Sequence, residues 1–162
     1  MIKSTDKLVS KSHSIYMSLQ VRKDPKLEER AFRAVRFIEL TLDAYRKVLD
    51  IPSNVKFRIC TFKGKTQGLY VSDTKTVCLL PRADLEDFAQ TLSHELIHAE
   101  QFKTGKLEHI RVPRVGYRLA WKGNIGAKGT TYKSYRSQPW EVEAFGRSED
   151  ITNKVYELLS NS

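Results

Sequence analysis

The 162-residue sequence has only two cysteines and no long apolar run. A helix that spans a bilayer needs about 20 consecutive apolar residues, and no stretch approaches that length. The amino-terminal stretch MIKSTDKLVSKSHSIYMSLQV also lacks the continuous apolar core of a secretory signal. We therefore expect a soluble cytoplasmic protein without a membrane partner.

Cysteine-based zinc binding is disfavoured by the positions of Cys60 and Cys78, which lie in two separate apolar runs without CxxC spacing. We expect buried free thiols, with a cross-strand disulfide as the alternative. The sequence also lacks repeats, low-complexity tracts and a Pro- or Ser-rich linker. Its 162 residues, 40% of them hydrophobic, predict one domain over 1–162, in which 1–24 could be a flexible or peripheral segment.

The most informative motif is the run His94-Glu95-Leu96-Ile97-His98, which has the pattern HExxH. Residues four apart share a helical face, so the two histidines can both point at one metal ion. Glu95 then lies beside the ion, where a carboxylate can take a proton from a zinc-bound water. The motif predicts a Zn2+ site with Glu95 as the catalytic base. The alternative is a pair of histidines on an ordinary polar helix face.

Hydrophobic periodicity predicts that this motif lies on a helix over 84–102, with Asp84 as its N-cap and Gly105 as its stop. His94 and His98 fall on the side of this helix roughly opposite the apolar side chains. The two histidines should therefore face a cleft or a second layer rather than the core. The apolar side consists of Leu85, Phe88, Ala89, Leu92, Leu96 and Ala99.

The other segments predict an α+β fold, because helical and strand-like patterns alternate along the chain. The predicted elements are a scaffold helix (26–49), a strand (55–60), a hairpin (69–71 and 76–80), two extended segments (116–122 and 130–135) separated by the glycine-rich 123–129, and a final helix (139–159).

This order of elements resembles that of the zincin-like metalloproteases. A catalytic zinc usually has three protein ligands, so the motif leaves one ligand to be found. The run PWEVEAF at 139–145 resembles the second motif of small gluzincin-type proteins and of peptidase-like proteins encoded by bacteriophages, in which a ligand Glu is followed three residues later by Ala. The resemblance implies His94, His98 and Glu141 as zinc ligands. It also implies a metallopeptidase acting on a protein or peptide substrate in the cytoplasm of a bacterium or a phage-infected cell.

Two other residues remain candidates for the third ligand. Glu143 is two positions beyond Glu141, so only one of the pair can face the metal from a helix. His109 is suggested by the run HELIHA at 94–99, which resembles SprT- and Spartan-like proteases that take a third histidine from beyond the helix. Their Gly-rich signature is missing around His109. A metzincin continuation is excluded because Gln101 stands where its glycine would be.

Three further side chains are candidates for supporting roles. Zincins use a His or Tyr to stabilise the oxyanion, and Tyr132 and Tyr135 precede the final helix. Both tyrosines could instead be packing or stacking residues. Asp87 could orient a ligand histidine, or could serve only as a partner of the helix dipole.

Positive charge is concentrated between the two helices that would hold the metal. The chain has 28 basic and 19 acidic residues, net +9, and segment 103–136 has nine basic residues against Glu108 alone, net +8. With Tyr117 and Trp121 among its aromatic residues, this segment could bind nucleic acid, could bind an acidic protein substrate, or could be a solvated loop. The two resulting hypotheses are a zinc metallopeptidase and a non-catalytic zinc-containing module that binds nucleic acid or protein through 103–136.

Overall fold

The computed structural model describes residues 1–126 and 132–162. Along these residues the elements follow in the order β1 (Lys7–Ser10), β2 (Ile15–Met17), α1 (Leu19–Lys23), α2 (Pro25–Val48), β3 (Lys56–Ile59), β4 (Gly68–Val71), β5 (Thr76–Leu79), α3 (Leu85–Lys103), β6 (Leu107–Val112), β7 (Gly116–Trp121), β8 (Asn124–Ile125), α4 (Tyr132–Arg136) and α5 (Pro139–Ser160). This mixture of helices and small sheets confirms the α+β expectation.

Five strands form the main sheet, in the order β1-β2-β3-β5-β4. The strands β2, β3 and β5 are parallel, and β1 and β4 pair antiparallel at the two edges. Strands covered on both faces are apolar nearly throughout, and all four residues of β5 are buried. The edge strand β4 lies beside α3. A second, antiparallel sheet follows α3 in the order β6-β7-β8.

The starts of the long helices are fixed by local chemistry. The Asp24 side chain accepts hydrogen bonds from two backbone N–H groups in the first turn of α2, and Asp84 does the same for α3. The helix α5 begins at Pro139, whose fixed φ suits a first helical turn. The helices predicted over 26–49, 84–102 and 139–159 are confirmed to within one residue at each end, and the strands predicted over 55–60, 69–71, 76–80 and 116–122 are also confirmed.

A chain of buried hydroxyl groups joins α2, α3 and α5. The Tyr45 hydroxyl lies 2.7 Å from the Ser93 Oγ, and the Ser93 Oγ lies 2.7 Å from the Thr152 Oγ1. Because Thr152 donates its own hydrogen to the Ser148 carbonyl, Ser93 donates to Thr152 and accepts from Tyr45. Burial raises the pKa of Tyr45, so its hydroxyl remains a neutral donor. This chain holds α3 next to both neighbouring helices at the residue that precedes His94.

Residues 1–24 differ from the expectation of a flexible or peripheral segment. They contribute β1, β2 and α1, and Ile15 and Met17 are both 0% exposed in the core. Asp6 accepts hydrogen bonds of 2.8 and 3.2 Å from the Arg58 guanidinium on β3. The strand β2 has only three residues, and the register of β1 shifts between Leu8 and Ser10, so neither strand shows a regular period of two in the sequence.

The prediction of an extended segment over 130–135 is wrong for the residues that the structure describes, because Tyr132–Arg136 form the helix α4. Tyr132 and Tyr135 are three residues apart, and this spacing suits one side of a helix better than one face of a strand. The glycine-rich segment 123–129 begins in the β7–β8 turn, and its residues 127–129 lie outside the described part of the chain. The strand β6 has no counterpart among the elements predicted from sequence.

Neither cysteine forms a disulfide bond. Cys60 and Cys78 are buried free thiols, as expected. Across the described residues, no helix combines the length and the apolar character that crossing a membrane requires.

We expect Ser93→Ala to lower the free energy of unfolding by about 1–3 kcal/mol, because it leaves the buried Tyr45 and Thr152 hydroxyls without their common partner. Urea denaturation with linear extrapolation measures the change. The control is Ser160→Ala on the exposed end of α5, which should change stability by less than about 0.5 kcal/mol. Equal effects for the two variants would contradict the role of the hydroxyl chain.

Candidate metal centre

The side chains of His94, His98 and Glu141 converge where α3 meets α5. The Nε2 atoms of the two histidines, one helical turn apart, are 3.1 Å from each other. From the first turn of α5, Glu141 places its Oε2 3.1 Å from His94 Nε2 and its Oε1 2.8 Å from His98 Nε2. All three residues are buried. Over residues 1–126 and 132–162, this is the group of His, Cys, Asp and Glu side chains that could hold a metal ion.

Hydrogen bonds favour the charged forms of Glu141 and His98 although both side chains are buried. Burial disfavours the charged form of Glu141, but the hydrogen bonds from His94 and His98 lower the pKa of Glu141 to about 2. Burial also opposes a charge on His98, but the hydrogen bond to Glu141 and the nearby Glu95 carboxylate raise the pKa of His98. The arrangement therefore presents an ionised carboxylate between two imidazoles, as a cation site requires.

Gln101 orients His98 from behind. The Gln101 amide nitrogen donates to the Trp140 carbonyl at 3.0 Å and to the Glu143 carboxylate at 3.3 Å. The amide oxygen of Gln101 must then face the His98 Nδ1, which lies 2.8 Å away. Since that oxygen can only accept, the His98 Nδ1 carries a hydrogen, and a metal ion in the centre would take the place of the Nε2 hydrogen that His98 donates to Glu141.

The side chain of Glu95, on α3, packs against Gly68 of the edge strand β4. It is 7% exposed, and burial raises the pKa of Glu95 in spite of the two histidines and the Tyr70 backbone N–H that favour its ionised form. A Cβ atom added at Gly68 would lie 3.0 Å from the Glu95 Cγ and 2.8 Å from the Thr91 Cγ2. Only glycine therefore lets the β4 backbone approach Glu95 this closely.

Two cavities meet at the side chains of His94, His98 and Glu141. One, of about 340 Å³, lies between β4 and the β6-β7-β8 sheet. The other, of about 690 Å³, lies between the start of β4, α3 and α4. Gly68, Glu95 and Tyr135 line both cavities. A cleft therefore runs past Glu95 and Tyr135, with β4 along one wall.

The two tyrosines predicted from sequence both lie at this cleft. Burial, together with the charge of Glu141 and a hydrogen bond to it, raises the pKa of Tyr135. Tyr132 is 69% exposed and lines the larger cavity, with its ring centroid 6.5 Å from that of Tyr135. Of the two, Tyr135 is the one that contacts a candidate metal ligand, Glu141.

The alternative third ligands have other partners. Glu143 forms ion pairs with Lys106 and Arg147, each at 3.1 Å. Burial opposes its ionisation, but the hydrogen bond from Lys106 contributes to lowering the pKa of Glu143. His109 lies 3.0 Å from the Ser72 Oγ and stacks on the Phe102 ring. Neither residue belongs to the group that could hold a metal ion.

Asp87 lies in the first turn of α3 and pairs with Arg82 at 3.3 Å, with 54% of its side chain exposed. It thus points to solvent, and its position suits the helix dipole. Sequence reasoning missed Gln101, Gly68 and Phe145, whose ring centroid is 4.5 Å from that of His94. The signal available for Gln101 was its position on the polar side of α3, three residues beyond His98.

Comparisons with known proteins give no match, whether to protein-family models, to curated proteins or to solved structures. The geometry of the described residues is therefore the basis for assigning a function.

We expect Gln101→Leu to weaken zinc binding by about 10–100-fold, because His98 loses the acceptor that fixes its tautomer. Competition titration against a chromophoric chelator measures the affinity. The matched control is Gln20→Leu on the exposed side of α1, which should bind zinc as the wild type does. An unchanged affinity in Gln101→Leu would contradict the orienting role.

Proposed function

We propose that this chain is a zincin-like, zinc-dependent metallopeptidase in which His94, His98 and Glu141 hold the metal and Glu95 is the general base. The observation that carries the proposal is the burial of Glu95 beside the three ligand side chains. A site that only binds zinc needs no further carboxylate at that position. Burying one costs free energy, so its presence favours a catalytic role.

The donor set fits zinc. Two imidazole nitrogens and one carboxylate are a common set of protein ligands in catalytic zinc sites, which keep a further position open. With metal–ligand bonds of about 2.0–2.1 Å, the ligand atoms of a tetrahedral site lie about 3.3 Å apart. The two imidazole nitrogens are 3.1 Å apart, and they lie 3.1 and 2.8 Å from different oxygens of Glu141. Small outward shifts of these side chains would bring three donor atoms to the tetrahedral spacing. Calcium and magnesium prefer oxygen ligands and fit less well.

Zinc, when bound, would polarise the substrate carbonyl and make water easier to deprotonate. Glu95 accepts a proton from the attacking water as the water oxygen bonds to the carbonyl carbon. The carbon–nitrogen bond then breaks, and Glu95 passes that proton to the departing amine. Because its pKa is raised by burial, Glu95 is a stronger base than an exposed glutamate.

Tyr135 is the residue best positioned to assist. Its raised pKa keeps the hydroxyl protonated, so it can donate a hydrogen bond to the oxyanion that develops on the carbonyl. A donor of this kind contributes about 3–4 kcal/mol to transition-state stabilisation in well-studied hydrolases. Tyr135 also lines both cavities, so substrate entering from either side would pass its hydroxyl.

An extended peptide is the substrate that best suits this cleft. The edge strand β4 forms one wall, and backbone groups of an edge strand can pair with an extended chain. The cavities on either side of Glu95 provide space for side chains that flank the cleaved bond. These features favour peptide hydrolysis over the chemistry of a small ligand held in one closed pocket.

We expect about one zinc ion per chain in protein purified without chelator, and loss of that zinc in His94→Ala and His98→Ala. Glu141→Gln should weaken zinc affinity by at least about tenfold, because it removes the only anionic ligand. Glu143→Gln, the same exchange two residues away, and His109→Ala serve as controls and should leave affinity nearly intact. Metal analysis and chelator competition measure these effects. Equal losses in His109→Ala would favour the SprT-like alternative over Glu141.

We expect Glu95→Gln to keep zinc and fold while peptide cleavage falls by about 100-fold or more, since the amide cannot accept the proton. Cleavage of a broad peptide library, followed by mass spectrometry, measures the rate. The control is Glu149→Gln on the exposed side of α5, which should cleave as the wild type does. If the wild type cleaves nothing and Glu95→Gln behaves identically, the non-catalytic binding module replaces the peptidase.

A further inference from the structure

The β6-β7-β8 sheet carries basic side chains that have no ion-pair partner among residues 1–126 and 132–162. Residues 107–126 contain four basic residues and one acidic residue, Glu108. Within the described part of the chain, none of the four forms an ion pair. Basic residues just before the sheet are different, since Lys103 pairs with Asp50 and Lys106 with Glu143. The four are Arg111, Arg114, Arg118 and Lys122.

An exposed aromatic ring lies among these charges. Tyr117 is 71% exposed and is directly opposite Arg111 in the β6–β7 register. Side chains directly opposite each other in an antiparallel pair have Cβ atoms about 4.5–5.5 Å apart and share one face. Trp121 is on the same face, with the nitrogens of Lys106 and Lys122 at 5.7 and 5.6 Å from its ring centroid. Each exposed end of this face therefore has an aromatic ring beside basic side chains, with the pair His109 and Leu119 between the two ends.

Both turns of the sheet hold a basic residue in a strained backbone conformation. Arg114, between β6 and β7, has φ of 66°, and Lys122, between β7 and β8, has φ of 49°. The left-handed region costs a residue with a side chain roughly 1–2 kcal/mol relative to its usual conformations. Glycine would avoid that cost, so the sequence keeps a cation at each tip of the sheet where the backbone favours a residue without a side chain.

We infer that the outer end of the β6–β7 hairpin, comprising Arg111, Arg114 and Tyr117, binds single-stranded nucleic acid. Guanidinium groups form paired hydrogen bonds with phosphates, and an exposed ring stacks on a base. Tyr117 favours a single strand, because the bases of a duplex are stacked on one another and present no free face. This surface contains none of the residues assigned to the metal centre, so the inference is independent of peptidase activity.

The test is fluorescence anisotropy with a fluorescein-labelled 20-nucleotide oligodeoxythymidine at several salt concentrations. We expect the wild type to bind with an affinity that falls as salt rises, and Arg111→Glu/Arg114→Glu to bind at least about tenfold more weakly. The salt slope of this variant should be smaller by about 0.7 for each phosphate that it no longer neutralises. The matched control, Arg33→Glu/Arg36→Glu on the exposed side of α2, makes the same change in net charge and should bind within about threefold of the wild type.

A second pair of variants separates stacking from charge. Tyr117→Ala should weaken binding by about 5- to 100-fold, whereas Tyr117→Phe, which keeps the ring, should bind nearly as the wild type does. Circular dichroism and thermal melting verify that each variant is folded. An unfolded Arg111→Glu/Arg114→Glu would be replaced by Arg111→Gln/Arg114→Gln, for which the same direction of change is expected.

Several results would overturn the inference. One is the absence of binding by the wild type at low salt, and another is an equal loss of affinity in the α2 control. A third is a Tyr117→Ala variant that binds as well as the wild type. Equal competition by polyglutamate would instead indicate a surface for acidic proteins, and tighter binding to a duplex of the same length would exclude the single-strand preference.

Discussion

The burial of two carboxylates and two imidazoles in one place is the constraint on which the rest of the structure depends. Glu95 and Glu141 have like charges and are 7% and 3% exposed, and each buried ion costs several kcal/mol unless it has partners. The partners come from separate elements. The imidazoles lie on α3, the carboxylate of Glu141 on α5, and the Tyr70 N–H on β4. These three elements must therefore assemble together, and the close approach at Gly68 and the hydroxyl chain through Ser93 both serve that assembly.

Two glutamates of α5 have separate roles because of their position on the helix. Positions two apart point in nearly opposite directions, so Glu141 faces the histidines while Glu143 faces outward. Glu143 meets Lys106 and Arg147, and Arg147 also pairs with Glu100 of α3 at 3.0 Å. This outer network links α3, α5 and the residue that precedes β6. This network is joined to His94, His98 and Glu141 through Gln101, which contacts both His98 and Glu143. The inner and outer carboxylates thus stabilise the same helix contact from its two sides.

The sequence predicts those parts of the fold whose signal is local. The helix over 84–102 shows several turns of one period, and HExxH is a pattern within one helix, so spacing alone makes His94 and His98 neighbours. Glu141 came only from a resemblance, because no local rule pairs α5 with α3. The role of Gln101 was hidden for the same reason, since its partner, the Trp140 carbonyl, is 39 residues away along the chain. The strand β2 has three residues, too few for a period to be seen, and the register shift between Leu8 and Ser10 interrupts any alternation in β1.

The β6–β7 hairpin connects the cleft at His98 and Glu141 with the basic surface. The pair His109 and Leu119 lines the 340 Å³ cavity, and the next pair outward on the same face is Arg111 and Tyr117. Side chains alternate between the faces of a sheet, so a register shift of one residue would remove the cavity wall and the basic face together. The β6-β7-β8 sheet therefore positions both the cavity wall at His109 and Leu119 and the exposed pair Arg111 and Tyr117 beside the cleft. A ligand held at the tip of the hairpin would lie next to the mouth of the cleft, in the positive field of Arg111 and Arg114.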